Sequence, residues 1–196
     1  MSDHEATTHA ERRSALRRIG LVVGVGAFAA PLVVSAVHPA ALASARFGSL
    51  AAALATLTQL RNQATPMSGA WDLPHVLHHV AQSVEYSMAG FPVSKPAWFR
   101  ATLGRYAFAL FNAGGQMTHS LDEAIPGAPA IAQGLAVGPA VDHLIAALQG
   151  FDRHTGELAP HFAYGTLDKA AYTRAHLMHI ANHWQQIVQD PHKETT

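Results

Sequence analysis

From residue 44 onward, apolar residues recur every three or four positions, which is the periodicity of helices packed on a core. Ser44–Asn62 carries Leu50, Leu54, Leu57 and Leu60 at that spacing and predicts a first helix. Ala64–Ala70, with Pro66 and Gly69, reads as a turn. Asp72–Met88 predicts a second helix, in which Val76, Leu77, Val80 and Val84 alternate with His75, His78, His79, Gln82 and Glu85. Pro74 suits its first turn and Gly90-Phe91-Pro92 ends it. Lys95–Phe111 predicts a third helix, and Pro139–Arg153 another, with Val141, Leu144, Ile145, Leu148 and Phe151 on one stripe.

Two segments between these helices lack periodicity. Asn112–Gly138 is rich in Gly and Pro and reads as a long connection. It exceeds what a minimal bundle needs, so part of it is expected to line a site. Glu157–Thr166 is a loop. It leads into Asp168–Asp190, a last helix that Asp168 can cap and Pro191 can end. No strand pattern and no internal repeat is evident. The expected fold is all-α, a bundle of about four main helices.

The first 45 residues have a different pattern. Glu11-Arg12-Arg13-Ser14-Ala15-Leu16-Arg17-Arg18 precedes an apolar run from Ile19 to Val37, and Ala41-Leu42-Ala43 or Ala43-Ser44-Ala45 offers small residues for a signal peptidase. Two Arg pairs ahead of the run resemble a twin-arginine signal, a route that carries folded proteins. Residues 1–45 are therefore expected to be an export signal and 46–196 the mature domain, placed in the periplasm or otherwise outside the cytoplasm. The run is also long enough for an uncleaved membrane anchor, which is the alternative.

Composition narrows the chemistry. The 196 residues are 49% hydrophobic and 13% charged, with a formal net charge of zero, so nothing suggests a nucleic-acid partner. There is no cysteine, which excludes disulfides, thiolate metal sites and thiol nucleophiles. Histidine stands out, with 14 residues. No phosphate loop, nucleophile elbow or catalytic carboxylate pair is present.

The histidines cluster on two helices. On the last, His176, His179 and His183 are spaced by three and then four and share one face. An i,i+4 pair brings two imidazoles within reach of one ion. His176 and His183 lie about 10.5 Å apart along the axis, so the pair to choose includes His179. A third ligand has to come from another helix. His79 is the favoured donor, with His75 and His78 behind it. Three imidazoles with an open position are the donor set of a catalytic divalent ion, with Zn, Ni or Fe as candidates. A lone helical His is more often a surface or satisfied core residue, and Glu85 more often solvated than catalytic. Tyr172 is better explained by a bond to a backbone carbonyl than by proton donation, while Trp71, Trp98 and Trp184 read as packing residues and His143 and His154 as structural or exposed. Because imidazoles ligate only when neutral, metal retention is expected to weaken below about pH 6.

Two stretches carry a family resemblance. Trp71-Asp-Leu-Pro-His75-Val-Leu-His78-His79 through Pro92, and Pro160-His161-Phe-Ala-Tyr-Gly165-Thr-Leu with His176-Leu-Met-His179-Ile-Ala-Asn-His183-Trp-Gln-Gln186, resemble an uncharacterised bacterial family of the DinB-like metalloenzyme superfamily. The resemblance implies an up-down-down-up four-helix bundle with a divalent ion held by His79, His179 and His183. It places Gln186 beside the last ligand as a supporting residue, and matches His161 to a loop histidine without assigning it a role. Relatives include thiol-dependent transferases and isomerases. Where many members carry Arg-Gly after the last ligand, this chain has Trp184-Gln185. The function expected is a metal-dependent hydrolase or transferase acting on a small, unidentified substrate. The alternative is a non-catalytic metal- or ligand-binding envelope protein, and the export machinery and a homodimer are the other partners to consider.

Overall fold

Asp72 shows how side chains set the ends of the helices. In the computed structural model, which describes residues 41–61 and 65–187, its Oδ1 accepts from His75 N at 2.9 Å, so the helix begins there. Its Oδ2 accepts from Gly134 N at 2.8 Å and ties the long connection to the same point. This helix, α2, spans Leu73–Ala89, with Pro74 in its first turn and Gly90 at φ 102° beyond its last.

Before it, a 3-10 turn at Ala45–Phe47 leads into α1, Leu50–Leu60. Ser49 caps α1 by accepting from Ala52 N. The helix thus starts at Leu50 and not at Ser44, because Gly48 and Ser49 break the pattern. Phe47 is 1% exposed and meets Trp184 edge-on at 5.0 Å. The expected leader before residue 41 lies outside the described residues.

After α2 come α3, Ala97–Phe99, a π-helical turn at Arg100–Gly104, and α4, Arg105–Gly114. The helix expected to end at Phe111 therefore runs one turn further. A Cβ on Gly104 would lie 1.8 Å from Ala163 O, so the π turn sits where the loop before the last helix presses on its backbone. Gly115 ends α4 at φ 66°, and its carbonyl accepts from Ala43 N at 2.9 Å. Trp98, Leu103, Tyr106 and Leu110 of this segment stay exposed.

α5 spans Val137–Arg153 and buries Ala140, Val141, Leu144, Ala147, Leu148 and Phe151. α6 spans Lys169–Trp184, with Asp168 accepting from Ala171 N at 2.7 Å. The expectation that α6 continues to Asp190 is corrected. Gln186 O accepts from Ser68 N, and Ile187 bridges Met67, so the chain leaves the helix to meet the turn before α2. Residues beyond 187 lie outside the description.

The largest interface joins α2 to α5. α1 packs on α5 and α6, and α6 also on α2 and α4. Leu57, Val80, Val84, Val141, Leu144 and Leu148 fill the centre, each 1% exposed or less. Burying a side chain of that size contributes about 1.5–3 kcal/mol. A smaller cluster of Phe108, Met117, Ala175 and Met178 fixes α4 and the long connection against α6. Among the described residues there is no strand, only two isolated bridges, and no helix long and apolar enough to cross a membrane. The chain is all-α.

Candidate metal centre

The last helix reveals the site by burying polar residues along with apolar ones. Leu177, Met178 and Ile180 of α6 are buried, and so are His176, Asn182 and His183. On α2, His79 is 4% exposed and points inward from the same side as Ser83 and Ser87, one and two turns on.

These helices bring three imidazoles to one point. The Nε2 atoms of His179 and His183 are 3.1 Å apart. The rings of His79 and His179 have centroids 5.2 Å apart, as do those of His79 and His183, while His179 and His183 are separated by 4.9 Å. One ligand atom from each of the three lies within 4.8 Å of the others. Donor nitrogens around a tetrahedral ion are about 3.3 Å apart when each bond is about 2.0–2.1 Å. His179 and His183 are already at that spacing and His79 is within reach of both, a cluster compatible with one divalent ion.

Electrostatics prepares the same outcome. Burial, followed by the nearby His183, His119 and His75, pushes the pKa of His79 down to about 3. Burial and His119 push His183 down to about 4, with the Gln186 side chain acting in the opposite direction. His179 falls well below 6.5 through burial and its histidine neighbours. Neutral rings keep their lone pairs available.

Two polar atoms beside the cluster are orphans. His183 Nδ1 and Gln186 Oε1 are both buried without a hydrogen-bond partner. Ligation through Nε2 would put the ring proton on Nδ1, making it a donor with an acceptor amide oxygen beside it. The Gln186 amide is pressed against Gly69, where a Cβ would sit 2.0 Å from Nε2.

Other histidines on these helices do something else. His75 stacks on Trp71 at 4.4 Å, and its Nδ1 is buried without a partner. His78 meets His143 Nδ1 to Nδ1 at 2.7 Å, and His143 Nε2 donates to Glu85 Oε1 at 2.7 Å. His78 is therefore turned away from the cluster, and His143 and Glu85 are bonded rather than solitary. His176 Nε2 lies 3.3 Å from Ser87 Oγ, whose own hydrogen goes to Val84 O at 2.6 Å. His161 is buried in the turn before α6. Tyr172 donates to Ala159 O at 2.7 Å, and burial raises its pKa. Trp71 is more than packing, since its ring lies 5.0 Å from that of His79 and walls the cluster on one side.

His119 was not legible in the sequence. It belongs to the connection between α4 and α5, yet its ring lies 4.9 Å from His179 and 5.5 Å from His183. Its Nδ1 donates to Ser120 O at 2.6 Å, which leaves the lone pair on Nε2. The excess length of the connection was the only hint. A cavity of about 220 Å³ opens beside the cluster, bordered by His79, Ser83, His119, His161, His176 and His179. The exposed Lys95 and Glu123 also border it.

Among known families, the one described as "Protein of unknown function (DUF1569)" matches residues 40–190. No curated protein and no solved structure matches the chain.

Proposed function

The chain belongs to the DUF1569 family, which is of unknown function, and from its histidine cluster we propose that its helical domain is a metalloprotein acting on a small molecule. His79, His179 and His183 would hold one divalent ion, with Zn, Ni and Fe all suited to imidazole donors. The observation that carries this is the convergence of three neutral imidazoles, two of them with Nε2 atoms 3.1 Å apart. The packing of α1, α2, α5 and α6 round one apolar core supports the DinB-like reading, an up-down-down-up four-helix bundle.

The ion would supply Lewis acidity and lower the pKa of a bound water. The chain's own residues do the rest. His179 is only partly buried and faces the cavity, so the cluster is reachable from that side. Trp71 covers the cluster beside His79 and His183. Gln186, whose side chain acts on His183, would fix the ring that ligates if its unpaired Oε1 accepted from Nδ1–H. Hydrolysis or group transfer on a small substrate follows from three neutral ligands and an open position. A second reading, metal or ligand binding without turnover, draws on the absence of any carboxylate bonded to the cluster among the described residues.

Residues 1–45, with their Arg pairs and apolar run, would export this domain, or anchor it if left uncleaved.

Elemental analysis of the untagged full chain tests the metal reading. About one equivalent of a transition metal is expected, falling below about a tenth in His183→Ala. Wild-type protein that purifies and refolds with added Zn, Ni or Fe yet holds no metal would refute it.

A further inference from the structure

His161 lies in a tight turn that fixes which of its ring nitrogens carries hydrogen. His161 N donates to Gly165 O at 2.8 Å and Gly165 N donates back to His161 O at 3.1 Å. Gly165 closes the turn at φ 78°. Inside it, His161 Nδ1 accepts from Ala163 N at 3.1 Å and from Tyr164 N at 3.2 Å. A nitrogen that accepts two N–H groups cannot carry a proton of its own. Burial pushes the pKa of this ring down to about 3, so it is neutral near pH 7. Its single N–H is therefore on Nε2.

The ring is also held in place. Tyr164 stacks on it at 4.2 Å with planes 7° apart, and Phe91 lies against it at 5.1 Å. Nε2, across the ring from the bonded Nδ1, has no hydrogen-bond partner among the described residues. It is not among the sealed orphan atoms, and the residue borders the cavity that His79 and His179 border. Ser83, 6% exposed and one turn after His79 on α2, borders the same space. His176, by contrast, is engaged with Ser87. The cavity thus has the histidine cluster on one part of its wall and a fixed, unpaired N–H donor on another.

We propose that His161 Nε2–H, with the Ser83 hydroxyl, binds an acceptor oxygen of the substrate, a carbonyl or carboxylate, while another part of that molecule reaches the three-histidine cluster. This deepens the proposed function and rests on its reading of the cluster for the second contact only. A donor fixed before binding loses no free energy to reorientation, and it favours an oxygen on which negative charge grows. It offers nothing to a protonated amine, whose acceptors on this cavity would be Glu123 and the Ser83 oxygen instead.

Two substitutions separate this role from a purely structural one. In His161→Asn the amide oxygen takes the place of Nδ1 and keeps the turn, but no donor stands where Nε2 was. In His161→Gln the amide nitrogen reaches the Nε2 position. The full chain, metal-free and Zn-loaded, would be titrated with benzoate, benzamide and benzylamine, while nitrogen NMR follows the ring of His161. The expected free state has hydrogen on Nε2 alone. Benzoate or benzamide should bind and shift the Nε2 resonance, and the better of the two identifies the acceptor. His161→Asn should weaken that binding about tenfold, the loss of one good hydrogen bond, with His161→Gln recovering part of it. Hydrogen on Nδ1, equal affinity in His161→Asn, benzylamine binding that His161→Asn weakens, or no binding of benzoate and benzamide in either form would overturn the proposal. If His161→Asn fails to fold, the nitrogen resonances of wild type and His161→Gln decide it. Metal content, measured separately, should be the same in wild type and both variants. A chain without metal would sink the metal reading and leave the His161 measurements standing.

Discussion

The Nε2 atoms of His179 and His183 face each other at 3.1 Å across one turn of α6. Two neutral imidazoles so placed can share one hydrogen or one cation. With a shared hydrogen, one lone pair is satisfied and the third ring, His79, gains nothing although it stands 5.2 Å from both by centroid. With a cation, all three lone pairs are used. His79→Ala, His179→Ala and His183→Ala are each expected to reduce bound metal from about one equivalent to below about a tenth. His119→Ala should leave the stoichiometry intact, because His119 is outside the set of converging ligand atoms. Elemental analysis of the four variants checks both outcomes.

Acid should affect the metal-free protein before the metal-loaded one. The pKa values of His79 and His176 are lowered by burial to about 3, and that of His183 to about 4, from an ordinary 6.5. Above 6.5 both folded and unfolded chains hold these rings neutral, and stability is flat with pH. Below 6.5 the unfolded chain takes up protons that the folded one refuses, so stability falls as pH falls until the folded rings protonate near 4 to 3. Thermal melts of metal-free protein should therefore lose midpoint steadily from about pH 6.5 to 4. Proton competition for a folded metal site starts correspondingly lower than the pH 6 expected of ordinary imidazoles. Metal retention should persist to about pH 5 and vanish with unfolding, as dialysis at stepped pH would show.

Gly104→Ala should destabilise the fold through the turn that carries His161. The new Cβ would stand 1.8 Å from Ala163 O, a backbone atom that cannot swing aside. Overpacking of this kind costs about 1–3 kcal/mol. In a chain of this size each kcal/mol lowers the melting midpoint by about 2–4 °C. A melt within about a degree of wild type would show that the π turn relaxes freely.

Tyr172→Phe removes the bond to Ala159 O, 2.7 Å long, and leaves that carbonyl unpaired. The expected loss is about 1–2 kcal/mol, with metal content unchanged because the hydroxyl points at backbone and not at the cluster. Denaturant titration paired with elemental analysis separates the two effects.

The helices were legible wherever periodicity and caps agreed. Asp72 with Pro74, and Asp168 before an unbroken helical run, marked the starts of α2 and α6. His179 and His183 could be paired because spacing alone decides which residues on one helix are neighbours. The end of α6 was not legible, since it depends on Gln186 and Ile187 meeting Ser68 and Met67, over a hundred residues earlier. His119 was hidden for the same reason. Its place next to His179 is set by packing of Met117 with Phe108 and Met178, not by any local pattern. His78 looked like a possible ligand until His143 and Glu85, on either side of the α2–α5 interface, were found to hold it elsewhere.

Trp71 should report occupancy of the cluster optically. Its ring lies 5.0 Å from that of His79 and 6.2 Å from that of His183, nearly parallel to the latter at 15°. Trp98 is exposed on the α3 segment, and Trp184 packs against Phe47. A paramagnetic ion such as Ni or Co held by the three histidines would sit within a ring's width of Trp71 and quench its emission, while Zn, with a filled shell, would not. Titrating the metal-free chain with Ni should dim the fluorescence to a saturable end point near one equivalent. Trp71→Phe should abolish most of that change while leaving the bound metal in place, and His179→Ala should abolish both. Quenching that survives undiminished in Trp71→Phe would place the ion nearer another tryptophan than Trp71, such as Trp184 next to His183.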